Sequence, residues 1–422
     1  MSIVTTPRAR LDRRAADPGR AQASPSRRVV WIGRLAIVLL TILLVLGTLE
    51  VSLRLFGPIL PGNYTSGAYL ERHPLYGFFH VRGYEGWQQS TEYVARVRFN
   101  QLGLRDPRES YAKPPGTFRI LLLGDSFMEG VQVEQRETTA AVLEARLRAL
   151  KPDLNVEVIN AGVAGWSTGI EGLYLEHEGY RFEPDLVLVG FFIGNDLHDN
   201  YYKLQLLGDD MDLAVKPYFG LGRDGVVVKR DPPPAPPPAT GLLPALRSCC
   251  RLWNVIETGV LNRFGDGQAN TPLWAAAPMD APTRALYDAE PSREFREGWE
   301  ITSQLFGRLK ARTDALGVPL AVFVIPDSPQ VSESEWRELV GDHRVASGRS
   351  TLTAPNDQLA AIAERHRLPL LDVLPTLQHE SGGSSRRFYF ETDQHWNRDA
   401  HALAARELER FLVERGLVPA PR

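Results

Sequence analysis

A chain of 422 residues with 43% apolar side chains can bury a substantial core, which excludes disorder throughout. Its 48 basic and 51 acidic residues leave almost no net charge, so composition gives no electrostatic basis for a nucleic-acid partner. The two cysteines, Cys249 and Cys250, are adjacent, which excludes a disulfide framework or a metal-ligand spacing built on them.

Residues 1–28 are rich in Arg, Ala, Pro and Ser and read as a disordered cytoplasmic tail. The uncharged stretch Leu35 to Leu49 follows Arg34 and ends at Glu50, and flanking apolar residues extend it to about 29–56. Uninterrupted, it covers about 22 Å at about 1.5 Å per residue, so Arg34 or Glu50 must sit at a membrane interface, with tilt and snorkelling covering the difference. The arginine excess before it predicts a cytoplasmic N-terminus and everything after Phe56 outside, in the periplasm of a Gram-negative cell. A cleaved signal peptide and a buried core helix are the rival readings. The long basic leader and the lack of a small-x-small site after Leu49 argue against cleavage, although Ser26-Arg27-Arg28-Val29 faintly resembles a twin-arginine signal.

Residues 57–116 carry many aromatics and glycines, and Tyr93 to Phe99 alternates as a strand does, which predicts a small β-rich lead-in. From 117 to 417 strands and helices alternate. Strands are expected at Arg119 to Leu123, Val156 to Ile159, Asp185 to Ile193, Leu320 to Ile325 and Leu370 to Val373. Helices are expected from about Thr138 (Leu143, Leu147 and Leu150 on one face), from Ser167 to Glu178, around Trp299 to Leu309, from Asp357 to Arg367, and after Asn397, an N-cap residue. The continuous apolar run Leu186-Val187-Leu188-Val189 suits a central parallel strand, and the whole rhythm predicts an α/β fold with a doubly wound parallel sheet. Residues 201–291 break it and read as an insertion whose run 232–238 is extended polyproline or exposed loop.

The run Ile120 to Phe127 ends an apolar strand on Ser126, and ligands of open α/β sheets bind at the carboxyl ends of the strands, where Asn160 and Asn195 also fall. A serine hydroxyl is a weak nucleophile at neutral pH, so acyl transfer needs a base and a group to orient it. His395 and Asp393 supply both, because two positions apart in extended chain their side chains project to the same side. Donors for the oxyanion are the Ser126 and Gly162 N–H groups and the Asn195 side chain. Gly162 also suits a tight loop, Asn195 also suits local backbone bonding, and Asp196 fits either the site or a solvated or capping role. Trp166 and Trp396, beside these motifs, are stacking surfaces for a sugar or packing residues. His73, His80, His177, His198, His343, His366, His379 and His401 show no spacing suited to a metal and are read as structural or surface residues.

Gly124-Asp125-Ser126, Gly162, Asn195 and the pair Asp393 and His395, in that order, resemble the four blocks of the SGNH (GDSL-like) hydrolase family. The resemblance implies a flavodoxin-like three-layer fold without a cofactor, Ser126 as nucleophile, His395 as base, Asp393 as orienter, and Ser126, Gly162 and Asn195 as the oxyanion hole. Two departures matter. The usual acid position, three before the histidine, is Thr392, and the third block reads Ile193-Gly194-Asn195-Asp196. The Asp-x-His-Trp arrangement resembles the SGNH-like alginate O-acetyltransferases and other membrane-associated enzymes that acylate or deacylate extracellular polysaccharides. The expectation is therefore a membrane-anchored extracytoplasmic serine esterase acting on O-acyl, chiefly acetyl, esters of a carbohydrate. The alternatives are an O-acetyltransferase with the same triad, fed by a membrane acyl-donor partner, and a non-catalytic glycan-binding scaffold.

Overall fold

The computed structural model describes residues 27–56, 64–65, 69–205, 216–231, 250–256 and 284–419. Residues 1–26 of the N-terminal tail, Cys249 and the run 232–238 lie outside the described residues. The chain divides into two compact units, Met1–Ser52 and Leu53–Arg422.

A continuous helix, Arg27–Phe56, contains a 26-residue portion, Val30–Leu55, long and apolar enough to cross a membrane. Two of its hydroxyls are satisfied within the helix itself. Thr41 and Thr48 each donate to the carbonyl four residues back, Ile37 O and Leu44 O, at 2.8 Å, which satisfies them within the helix.

The second unit is organised by five parallel strands, β1 (Thr117–Gly124), β2 (Asn155–Gly162), β3 (Leu186–Phe192), β4 (Leu320–Ile325) and β5 (Leu370–Asp372), in the order 2-1-3-4-5. This is the flavodoxin-like order. Because side chains alternate along a strand, Ile120 and Leu122 of β1, Leu186 and Leu188 of β3 and Phe323 of β4 enter one core. Leu121, Leu123, Val187, Val189 and Val324 enter the other. The first core is closed by α1 (Thr139–Leu150) through Leu143 and Leu147, and by α5 (Arg398–Glu414) through Leu403, Leu408 and Leu412. The second is closed by α2 (Thr168–His177), α3 (Arg293–Leu316) and α4 (Ala354–His366). Leu150 ends α1 and is 49% exposed, so the apolar face of that helix stops at Leu147. Asn397 caps α5, its Oδ1 accepting from Asp399 N–H at 2.9 Å and Ala400 N–H at 3.2 Å.

The lead-in forms two antiparallel pieces, a hairpin of Leu70–His73 with Gly77–His80 and a sheet of Tyr64–Thr65, Glu85–Gln89 and Val94–Arg98. Ala95 and Val97 are buried while Val94, Arg96 and Arg98 are exposed, the alternation of a half-buried strand. Within 201–291, Tyr218–Leu221 and Val227–Arg230 pair as a hairpin. Phe219 of that hairpin packs so tightly on α2 that a Cβ at Gly169 would lie 2.0 Å from its ring.

Candidate active site

β1 and β3 are neighbours whose outer partners lie on opposite sides, so the crevice at their carboxyl ends is the topological switch point of the sheet. Ser126 follows β1 there and opens the short helix Ser126–Glu129. Asp125 is its N-cap, with Oδ1 accepting from Phe127 N–H at 2.9 Å. A first-turn N–H of a helix has no partner within the helix, and the Ser126 N–H is one of these. Gly130, at φ 63°, ends the helix in the left-handed conformation that lets the chain turn away at once.

The last block arrives from the far end of the chain. His395 Nε2 stands 2.7 Å from Ser126 Oγ, and its Nδ1 stands 2.7 Å from Asp393 Oδ1. Residues 269 and 2 positions apart thus form one continuous hydrogen-bonded line. The Phe127 ring, 4.8 Å from the imidazole, walls it on one side. Ser126 is 5% and His395 7% exposed, so the line is dry yet reaches the surface.

The connection between Asp393 and His395 is not the extended chain expected from their spacing. Gln394 has φ 65°, and this left-handed residue contracts the loop so that the carboxylate folds back to Nδ1. An L-residue in that region costs about 1–2 kcal/mol. The side chain of Gln394 is held at both ends, its Oε1 accepting from Ser328 Oγ and its Nε2 donating to Glu391 O at 2.5 Å.

Burial pulls the His395 imidazole down, but the charge and hydrogen bond of Asp393, with a smaller pull from Asp125, outweigh it and leave its pKa above the ordinary value. Burial pushes Asp393 up, and here too the opposing forces win. The charge of His395 and hydrogen bonds from His395 and the Tyr93 hydroxyl hold its carboxyl below the usual range. Beneath the serine, Asp125, Glu171 and Asp196 are fully buried. Burial raises all three; repulsion from Asp125 adds to it at Glu171 and Asp196, whereas at Asp125 the Phe127 N–H and the charge of His395 pull the other way. Asp196 is neither solvated nor capping its own helix; its Oδ2 accepts from Phe192 N–H at 3.0 Å at the end of β3.

Asn195 precedes the helix Asp196–Asn200 without capping it by its side chain, and its Oδ1 is buried and unpartnered. Gly162 is different. Its N–H donates to Asn160 Oδ1 at 3.1 Å, while Asn160 Nδ2 donates to Met128 O at 2.8 Å, so this pair ties the end of β2 to the serine-bearing helix. A Cβ at Gly162 would lie 2.3 Å from Glu129 N and 2.5 Å from Met128 C, backbone atoms with no room to yield. Gly162→Ala is therefore expected to destabilise the fold by about 2 kcal/mol and displace the serine. Urea unfolding checks the first effect and turnover per folded molecule the second; wild-type values for both would remove this packing account.

Of the two roles the sequence left open for Trp166 and Trp396, their burial favours packing over sugar contact. Both are fully buried. Trp166 stacks on Phe79 and donates from Nε1 to Phe78 O at 3.3 Å, and Trp396 meets Phe127 and His401 edge to face. A wide apolar ring beside a strand end finds its largest stabilisation in the core.

Sequence reasoning missed the part played by the lead-in. Glu92 and Tyr93 contact the loop of Asp393, and the buried Arg105 guanidinium donates to the carbonyls of Glu129 (3.1 Å), Gly130 and Val133 (2.5 Å). His80, read as structural or surface, is fully buried, with Nε2 2.7 Å from Glu129 Oε1 and Nδ1 2.7 Å from Gly103 O. The only sequence signal was the buried phase of the strand after Tyr93; no motif marks contacts spanning about 300 residues.

Residues 286–420 match the family model described as the SGNH hydrolase-like domain of the acetyltransferase AlgX. No curated protein matches the chain. Solved structures that align with it include a two-domain esterase, CEX, active on acetylated mannans and co-crystallised with mannopentaose. That match has 13% identity and a TM-score of 0.35, and covers 72% of this chain and 51% of that one, so the chain spans about half its length. A catalytic mutant of Axe2, an acetylxylan esterase from Geobacillus stearothermophilus, aligns at 12% identity over 71% of this chain and 96% of that one, TM-score 0.38. The psychrotrophic esterase EstA from a Pseudoalteromonas species aligns at 12% identity over 71% and 99%, TM-score 0.36.

Proposed function

We propose that this protein, an SGNH-type ester hydrolase or acyltransferase, uses Ser126, His395 and Asp393 to move acetyl groups on a carbohydrate outside the cytoplasm, anchored by its N-terminal helix. The observation that carries the reading is the line of two 2.7 Å hydrogen bonds from Ser126 through His395 to Asp393 at the switch point of the sheet. Ser126 Oγ attacks the ester carbonyl as His395 Nε2 takes its proton. The oxyanion is met by the Ser126 N–H and the Asn195 side chain, joined by the Gly162 N–H when Asn160 releases it. Collapse breaks the bond to the sugar oxygen, which receives the proton from His395, and leaves Ser126 acetylated. A second nucleophile then attacks the acyl carbon and gives its proton to His395, which passes it to Ser126 Oγ as the bond to the serine breaks.

Water as that nucleophile makes an esterase, and a sugar hydroxyl makes an O-acetyltransferase. The match of residues 286–420 to an acetyltransferase family model supports the second. The membrane assignment rests on the length and apolarity of Val30–Leu55, and the extracytoplasmic placement on the arginines before it.

The test is mass spectrometry of the protein after brief exposure to 4-nitrophenyl acetate, with and without soluble polysaccharide. An added acetyl on the Ser126 peptide is expected. Faster loss of that acetyl with polysaccharide, and its appearance as a sugar ester, assigns transfer; release as acetate at one rate in both samples assigns hydrolysis. An acetyl-free Ser126 in folded, turning-over protein would reject the reading.

A further inference from the structure

The geometry points to Glu92 and Tyr93 of the lead-in as positioning residues of the catalytic acid, fixing Asp393 against His395 from a segment outside the five-stranded sheet. The inference rests on the triad proposed above. Asp393 presents two carboxylate oxygens, and each has one dedicated donor. Oδ1 faces His395 Nδ1 at 2.7 Å, and Oδ2 accepts from the Tyr93 hydroxyl at 2.8 Å. With both oxygens engaged, rotation of the carboxylate breaks a charge-assisted bond at either end.

Glu92 holds the backbone of the same loop. Its Oε1 accepts from the N–H groups of Glu391 at 2.5 Å and Thr392 at 3.1 Å, and its Oε2 from Thr392 at 3.0 Å and Asp393 at 3.0 Å. Three consecutive N–H groups converging on one carboxylate form an anion nest, here filled by a side chain of the protein itself. The Tyr93 ring also packs on Phe390, 5.0 Å between centroids, and Phe390 N–H donates to His395 O at 2.9 Å. Two adjacent residues thus grip the loop at its backbone, its acid and its ring, and this grip offsets the cost of the left-handed Gln394 between acid and base.

A positioning role has a signature that a packing role lacks. The Tyr93 hydroxyl shares the negative charge of Asp393, so removing it makes that carboxylate a better partner for His395 and favours the protonated imidazole. Asp125 on the turn after β1 and His401 on α5 also act on His395, and neither is altered by the substitution.

The experiment uses the full chain as Tyr93→Phe, Glu92→Gln and Ser126→Ala, with fluorophosphonate labelling to completion to count competent sites and steady-state hydrolysis of 4-nitrophenyl acetate across pH. Tyr93→Phe is expected to lower kcat per labelled site about tenfold, to leave KM within about twofold, and to move the acid limb of kcat/KM to higher pH. Glu92→Gln places an amide against the three N–H groups and is expected to lower kcat about tenfold with the limb unmoved. If both variants lose only labelled sites, keeping wild-type kcat per site and the wild-type limb, the pair is structural and the inference is overturned while the triad stands. If Ser126→Ala keeps its activity, the triad itself fails.

Discussion

Ser126→Ala is expected to lower kcat for an acetyl ester about 10⁵-fold, with His395→Ala close to it and the double variant no worse than either. Nucleophile and base act in one step, so deleting either removes the same covalent route, and a second deletion has nothing left to remove. The activity that remains comes from water attacking an ester held against the Ser126 N–H and Asn195. That polarisation needs neither deleted side chain. Both substitutions shorten a side chain in a site that is already nearly dry, and neither group makes a bond on which a strand or helix depends, so unfolding midpoints should stay close to wild type. Residual activity within about tenfold of wild type in folded Ser126→Ala would mean that another nucleophile operates. A cellular phenotype that survived Ser126→Ala and vanished with the hairpin 218–230 would favour the glycan-binding scaffold.

The layout of the sheet was readable because a parallel core leaves a coarse trace. Leu186 to Val189 is continuously apolar because helices cover both faces of β3, and β1 and β4 show the same pattern for the same reason. The capped start of α5 was equally plain, since Asn397 and the period of Leu408, Phe411 and Leu412 are local signals. Motif order singled out Ser126, Asp393 and His395, which two 2.7 Å hydrogen bonds join. What escaped was of three kinds. One was conformational: two-residue spacing suggested an extended connection, whereas Gln394 turns left-handed because Glu92 and Ser328 hold the loop from outside. The second was a choice the sequence left open, between sugar contact and packing. Trp166 and Trp396 sit next to the motifs in sequence, but adjacency does not determine on which side of a strand end a ring falls, and here both rings turn inward. The contacts of Tyr93 and Arg105 have no local signature, because each is made to a partner that only the finished fold brings near.

Asp393→Asn is expected to lower kcat about 10³- to 10⁴-fold, less than loss of the nucleophile or base, and to move the acid limb of kcat/KM to lower pH. The rate falls for a reason the Tyr93 hydroxyl makes specific. Tyr93 donates to one oxygen of Asp393, so an amide at 393 turns its oxygen toward Tyr93 and its NH₂ toward His395 Nδ1. Nδ1 must then accept, the proton resides on Nε2, and Nε2 can no longer take the proton of Ser126. The limb moves because two opposing influences set the affinity of His395 for its proton. Burial lowers it, and Asp393, through charge and hydrogen bond, raises it by more. With neutral His395 as the proposed base, wild-type activity is expected to rise as pH passes a value above the ordinary histidine pKa; without the carboxylate, burial prevails and the rise begins lower. Tyr93→Phe moves the same limb upward, and opposite shifts from two substitutions on one carboxylate are difficult to produce by loosening the loop. An acid limb that stays in place in Asp393→Asn would show that His395 is not the group whose titration limits the rate.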